Sequence, residues 1–201
     1  MAKLDTTYEL PTHTSEELAD WAVKPTPWIS KPWLARGAMT EVVGKIKKGG
    51  KTTWVLAMCR AICRGEPFLG WPTEKSGVLY LSEQNPTSFT VAWRAAGFAA
   101  GDAFWCTFRQ DTWNAPQDVN DNSRWTTIAV AAVRKAAQLG ATVLVTDTVS
   151  RWAALPEANE NDASTGHMAL APLEVATKHG MAVIIARHAR KAGGGPSDAG
   201  R

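Results

Sequence analysis

A lysine and two threonines directly behind a pair of glycines make Gly44-Lys45-Ile46-Lys47-Lys48-Gly49-Gly50-Lys51-Thr52-Thr53 the segment of this chain that points most clearly to a ligand. Met39 to Val43 before it read as a buried strand, and Gly50 onward reads as the start of a helix. A glycine-rich turn in that setting can wrap backbone N–H groups around a polyphosphate, with Lys51 on the terminal phosphates and the Thr52 hydroxyl on Mg²⁺. The candidate phosphate-binding residues are Gly44, Lys47, Lys48, Gly49, Gly50, Lys51, Thr52 and Thr53, and the ligand class is a nucleoside triphosphate. The usual spacing has four residues between the first glycine and Gly-Lys-Thr, whereas Gly44 and Gly50 enclose five. Either the loop carries a one-residue insertion, or Gly49 supplies the turn and Gly44 ends the strand. A solvated Lys/Gly hairpin is the competing reading, and the strand and helix context argues against it.

Three further residues carry side chains suited to phosphate chemistry. Val143-Leu144-Val145-Thr146-Asp147 is an apolar strand ending in a carboxylate, which suits an acidic partner for Mg²⁺ beside Thr52, although such an Asp can also cap the next segment. Glu83 follows Val78-Leu79-Tyr80-Leu81-Ser82, where a carboxylate can orient or deprotonate an attacking water; a surface salt bridge is its plainer role. His188 ends a later strand and can hydrogen-bond a γ-phosphate or the water, or simply sit satisfied at a strand end.

These positions depend on the elements that carry them. Strands are expected at 39 to 44, 78 to 83, 104 to 109, 142 to 147 and 181 to 187, several of them continuous apolar runs of the kind buried on both faces of a parallel sheet. Helices are expected at about 50 to 64, 88 to 96, 124 to 139 and 163 to 179. The first places Val55, Met58, Cys59 and Ile62 on one face before Gly65, and the third places Ile128, Ala132 and Val133 together before Gly140. Alternation of this kind predicts an α/β fold with a mostly parallel central sheet and ligands at the carboxyl ends of its strands. The candidate residues do fall there: the Gly/Lys loop, Ser82-Glu83-Gln84, Asp147-Thr148 and Arg187-His188 each follow or end a strand. Residues 1–36 read as a Pro/Trp-rich lead-in arm with one short helix over Ser15 to Val23, and residues 37–201 as the domain.

Composition narrows the class. A chain of 201 residues that is 45% hydrophobic can bury one sizeable core, its longest apolar runs are of strand length, and Lys3 and Asp5 precede no signal-peptide core, so a cytoplasmic location is expected. Cys59, Cys63 and Cys106 are odd in number with no second ligand pair nearby, which favours buried small residues over a zinc site or a disulfide. A net charge of +3 is compatible with nucleic-acid binding without requiring it. Ten tryptophans against two tyrosines is unusual; packing of the N-terminal arm is the expected use of Trp21, Trp28 and Trp33, ahead of base stacking.

Pro-Trp-Ile-Ser before a strand, the Gly-Gly-Lys-Thr-Thr-Trp run, Gly65-Glu66-Pro67-Phe68-Leu69-Gly70, Val78 to Gln84, Thr146-Asp147-Thr148, Asn159-Glu160-Asn161-Asp162 and Arg187-His188-Ala189-Arg190-Lys191 occur in an order that resembles the RecA-like ATPases related to the plasmid replicative helicase RepA. The resemblance covers roughly residues 25 to 201. It implies a three-layer RecA-like P-loop fold that binds ATP and Mg²⁺. Lys51 and Thr52 would hold phosphate and metal, Asp147 would be the acidic metal partner, Glu83 the catalytic carboxylate and His188 the γ-phosphate sensor. It further implies action on single-stranded DNA as a homo-oligomeric ring, with Arg201, then Arg190, as candidates for a cation reaching a neighbour's γ-phosphate. Loops 148 to 162 and 189 to 201 would touch the DNA. Members of that family continue past this point into further strands, so the sheet is expected to be truncated at its C-terminal side. A phosphotransferase would need an acceptor pocket and lid that the sequence does not show. A nucleotide-sensing module without turnover would not need Glu83. A GTPase would need an Asn-Lys-x-Asp motif, which is absent.

Overall fold

The structure is a computed structural model that describes residues 9–22, 25–44, 50–117, 124–155 and 163–188. Its elements run α1 (Ser15–Ala22), β1 (Trp28–Ser30), β2 (Leu34–Ala35), β3 (Met39–Gly44), α2 (Lys51–Arg64), β4 (Gly77–Ser82), α3 (Pro86–Ala95), β5 (Phe104–Phe108), α4 (Arg124–Leu139), β6 (Ala141–Asp147), α5 (Val149–Trp152), α6 (Ala163–Leu170), α7 (Glu174–Lys178) and β7 (Ala182–His188). Five strands form one parallel sheet in the order β3-β7-β6-β4-β5.

Strand alternation builds the layers. On β4, Val78 and Tyr80 face one way while Leu79 and Leu81 face the other; β6 splits Val143 and Val145 from Leu144, and β7 splits Ala182 and Ile184 from Val183 and Ile185. The first set packs against α2, with Val55, Met58, Cys59 and Ile62, and against Phe89 of α3. The second packs against Trp125, Ala129, Val133 and Ala136 of α4 and against Leu173 and Ala176. Because both faces are covered, the central strands carry apolar residues at successive positions. The three-layer RecA-like α/β arrangement implied by the resemblance is present.

Helix boundaries follow local chemistry. Asn85 caps α3 by accepting the Ser88 N–H at 2.9 Å, and Pro86 fills the first turn where no amide partner is needed. Gly65 ends α2 in the left-handed region, φ 70°, and its N–H returns to Ile62 O. The single helix expected at 163 to 179 is broken: α6 and α7 are separated by a 3₁₀ turn over Ala171–Leu173, because Pro172 has no N–H to continue the α-helical ladder.

Residues 25–36 are not simply extended. β1 and β2 form a short antiparallel hairpin whose Ile29 and Leu34 are fully buried in the α2-side core. Each such side chain contributes about 1.5–3 kcal/mol of transfer free energy, enough to fasten the segment to the domain. Trp33 meets Trp54 and Phe68 edge to face, which matches the expected packing use of the N-terminal aromatics, whereas Trp21 stays half-exposed beside His13. Burial pushes the Cys59 thiol well up and raises Cys63 and Cys106 to about 12, so all three pack as protonated, weakly polar side chains. Among the described residues no helix is long and apolar enough to cross a membrane.

Candidate active site

Parallel register brings the chemistry to one edge. Gly44 is paired with His188, Asp147 with Ala186, and Ser82 with Asp147. Neighbouring strands lie about 4.8 Å apart. The ends of β3, β7, β6 and β4 therefore form a continuous rim, and α2 starts directly above it.

Gly50 enters α2 in the left-handed conformation, φ 59°. A Cβ there would meet nothing within 4 Å, so it is backbone conformation, not space, that favours glycine. The turn carries Lys51 inward: its side chain donates from Nζ to Gly44 O at 3.0 Å, lies 3.3 Å from His188 Nδ1, and leaves the residue only 8% exposed. The lysine thus sits between the end of β3 and the end of β7.

Thr52, next on the helix, donates from Oγ1 to Asp147 Oδ2 at 2.8 Å, and Gln84 Nε2 reaches the same threonine oxygen at 3.3 Å. Asp147 is buried at 3% exposure and accepts a second bond at Oδ2, from the Tyr80 hydroxyl at 2.6 Å. Burial raises the Tyr80 pKa well above its ordinary value, and the Asp147 charge and hydrogen bond raise it further, so the phenol remains a donor. Two hydroxyls therefore orient one carboxylate oxygen.

Glu83 is placed by its own backbone, whose N–H donates to Asp147 O at 2.8 Å. Its carboxylate Oε2 accepts the Thr148 hydroxyl at 2.7 Å, and Thr148 lies 3.4 Å from the Ser150 hydroxyl. The carboxylate is held at the rim beside Asp147 with its other oxygen left for a further donor.

Of the residues singled out in the sequence, Gly44, Gly50, Lys51, Thr52, Glu83, Asp147 and His188 come together at this rim. Thr53 is exposed and makes no side-chain bond to the cluster among the described residues. Lys47, Lys48, Gly49, Arg190 and Arg201 lie outside the described residues. Sequence reasoning did not assign roles to Tyr80, Gln84 or Thr148. Tyr80 had a signal, since a phenol in an otherwise aliphatic buried strand requires a partner for its hydroxyl, and it points to the same face as Val145 and hence as Asp147 two residues on. Thr148 had none beyond standing next to Asp147.

The donor set fits a hydrated Mg²⁺. That ion prefers hard oxygen ligands, keeps several waters and is typically held through one or two carboxylates together with substrate phosphates. Here a hydroxyl and a carboxylate from different elements are 2.8 Å apart, with Asp147 Oδ1 making no hydrogen bond among the described residues. No group of three or more His, Cys, Asp or Glu able to hold a metal by themselves occurs among the described residues, so phosphate oxygens and water would have to complete the shell.

A search of curated proteins finds no match for this chain. The family model described as AAA domain matches residues 5–194, which includes every residue of the rim. A strand-to-helix glycine turn with an inward lysine, a threonine joined to a strand-end aspartate, and a family match over nearly the whole chain agree with one another, and the protein belongs to the AAA domain family of P-loop ATPases.

Proposed function

We propose that the chain binds Mg²⁺ and ATP at this rim and hydrolyses the β–γ phosphoanhydride, as a RepA-like motor domain acting on single-stranded DNA in a homo-oligomeric ring. The observation that carries the reading is the bond from Thr52 Oγ1 to Asp147 Oδ2, which sets a hydroxyl and a carboxylate beside Lys51 and Glu83.

ATP entering the loop offers Lys51 Nζ its β- and γ-phosphate oxygens in place of Gly44 O and His188 Nδ1. Bound Mg²⁺ neutralises developing phosphate charge. Thr52 and Asp147 hold its side of the site, with Tyr80 fixing the carboxylate. Glu83, oriented by Thr148, accepts a proton from water as the water oxygen bonds to the γ-phosphorus and the bond to the β–γ bridging oxygen breaks, giving ADP and inorganic phosphate. His188, which lies 3.3 Å from Lys51 Nζ, would hydrogen-bond a γ-phosphate oxygen and so register whether that phosphate is present. Arg201, or Arg190, would supply a cation to the neighbouring subunit's γ-phosphate.

ATPase activity measured with and without single-stranded DNA tests the reading, with Lys51→Ala alongside. Wild type should turn over ATP only with Mg²⁺ and faster with DNA, while Lys51→Ala should fold but bind a labelled ATP analogue at least about tenfold more weakly, the loss expected for one charged contact. Unchanged analogue binding by Lys51→Ala would overturn the site, and turnover indifferent to DNA would overturn the motor assignment.

A further inference from the structure

A cavity of about 500 Å³ opens on the α4 side of the sheet, toward the β5 margin and away from β3. Its walls include Arg109 and Trp113, which follow β5, Arg124 and Trp125 from the first turn of α4, Trp152 at the end of α5 and Met168 of α6. Among the described residues no carboxylate lines it, and neither Arg109 nor Arg124 forms an ion pair. The Arg109 guanidinium lies 5.7 Å over the Trp113 ring, which is 63% exposed. Trp152 is 4% exposed, and its indole N–H finds no acceptor, whereas the neighbouring Trp125 N–H donates to Ala169 O at 2.8 Å.

Two guanidiniums with no ion pair among the described residues suit an anion, and broad indole faces suit a planar, polarisable partner. A free phosphate or an acidic peptide would use the first feature and leave the second idle. A nucleotide unit uses both, and the volume lies within the range of small-ligand pockets, about 300–1,000 Å³. We propose that this cavity is a subsite for single-stranded nucleic acid, in which a base stacks on Trp113 and the flanking phosphates pair with Arg109 and Arg124. The inference rests on the DNA partner named under the proposed function, and it assigns that partner to the segment after β5 and the start of α4. Trp152, Ala153 and Ala154 bring the segment after β6, one of the two that the sequence singles out, to the same cavity, whereas the segment after β5 and the start of α4 are not among them.

The cavity also adjoins the ATP-facing rim through one helical turn. Thr148, which holds Glu83, precedes α5, and Trp152 at the other end of α5 lines the cavity and donates its backbone N–H to Thr148 O at 3.2 Å. A strand seated against Trp152 therefore bears on the residue that orients the carboxylate.

The test is fluorescence anisotropy of a fluorescein-labelled oligothymidylate, titrated with wild type, the Arg109→Ala/Arg124→Ala double variant, Trp113→Ala and Trp113→Phe over a series of salt concentrations. The double variant should bind at least about tenfold more weakly, with the log–log salt slope reduced by roughly 1.4, the value for two phosphates of a single strand. Trp113→Ala should weaken binding about tenfold, and Trp113→Phe should restore most of it. Labelled ATP-analogue binding and basal turnover should be the same in all four proteins. Unchanged affinity and salt slope in the double variant would overturn the proposal. So would poly-glutamate competing as well as unlabelled oligothymidylate with Trp113→Ala having no effect, since that marks an acidic-peptide site. Arginine-dependent oligonucleotide binding without ATP turnover would sink the ATPase reading and leave the cavity standing; turnover without such binding would do the reverse.

Discussion

Thr52 Oγ1 donates to Asp147 Oδ2 at 2.8 Å across 95 residues of sequence, tying the first turn of α2 to the end of β6. The bond places the hydroxyl and the carboxylate that we propose hold Mg²⁺ in reach of each other. Little rearrangement is then needed to receive a hydrated divalent ion, which is the value of preorganisation.

Glu83→Gln preserves shape and still accepts the Thr148 hydroxyl, but cannot take the proton from water. ATP binding should stay within a few-fold of wild type while turnover falls by roughly 10²–10⁴, the range for loss of a general base. Stopped-time phosphate release alongside analogue binding measures both; equal losses in the two would reduce Glu83 to a structural ion.

Tyr80→Phe removes one of the two hydroxyls on Asp147 Oδ2 without opening a cavity. A buried hydrogen bond to a charged group contributes about 1.5–3 kcal/mol, so urea unfolding should show a loss of that order. The Mg²⁺ concentration giving half-maximal turnover should rise. If neither changes, the phenol does not position the carboxylate.

Asp102 accepts from Arg64 Nε at 3.0 Å, from Arg64 Nη2 at 2.9 Å and from the Ala99 N–H at 2.8 Å, and the Arg64 hydrogen bond is the main cause holding its carboxyl below the ordinary value. A depressed folded pKa contributes stability that is full above the unfolded carboxylate pKa of about 3.9 and is lost as pH falls through the folded value. Asp102→Asn should therefore melt lower than wild type at neutral pH, and the gap should close in acid below about pH 4. Thermal melts across pH check this, and a gap that is constant down to strong acid would contradict it.

Gly77 starts β4 where a Cβ would meet Trp105 Cζ3 at 2.9 Å and Ala141 Cα at 3.1 Å. The second contact is backbone and cannot swing away. Gly77→Ala should cost about 1–3 kcal/mol by overpacking, read as a lower urea midpoint, while Gly70→Ala cannot share this cause because no atom lies within 4 Å of its Cβ position. A Gly77→Ala protein as stable as wild type would show that Trp105 and β6 yield freely.

Much of this architecture was legible in the residues themselves, because burial on both faces of a parallel strand writes continuous apolar runs, and capping, glycine and proline signals are local. The strand at 39 to 44, the strand expected at 104 to 109 and found at 104 to 108, the helix at 124 to 139, and the placing of Glu83, Asp147 and His188 at strand ends with Lys51 opening the helix after β3 were all readable in this way. What only tertiary structure decided was adjacency. The order β3-β7-β6-β4-β5 sets Gly44 beside His188 and lets Lys51 reach His188 across 137 positions, and it turns Tyr80 and Thr148 from strand filler and neighbour into partners of the two carboxylates. A sequence pattern reports which face of each element is buried. It does not report which elements lie side by side, because that is settled by how the crossover helices pack and close the layers, through contacts between residues far apart in the chain.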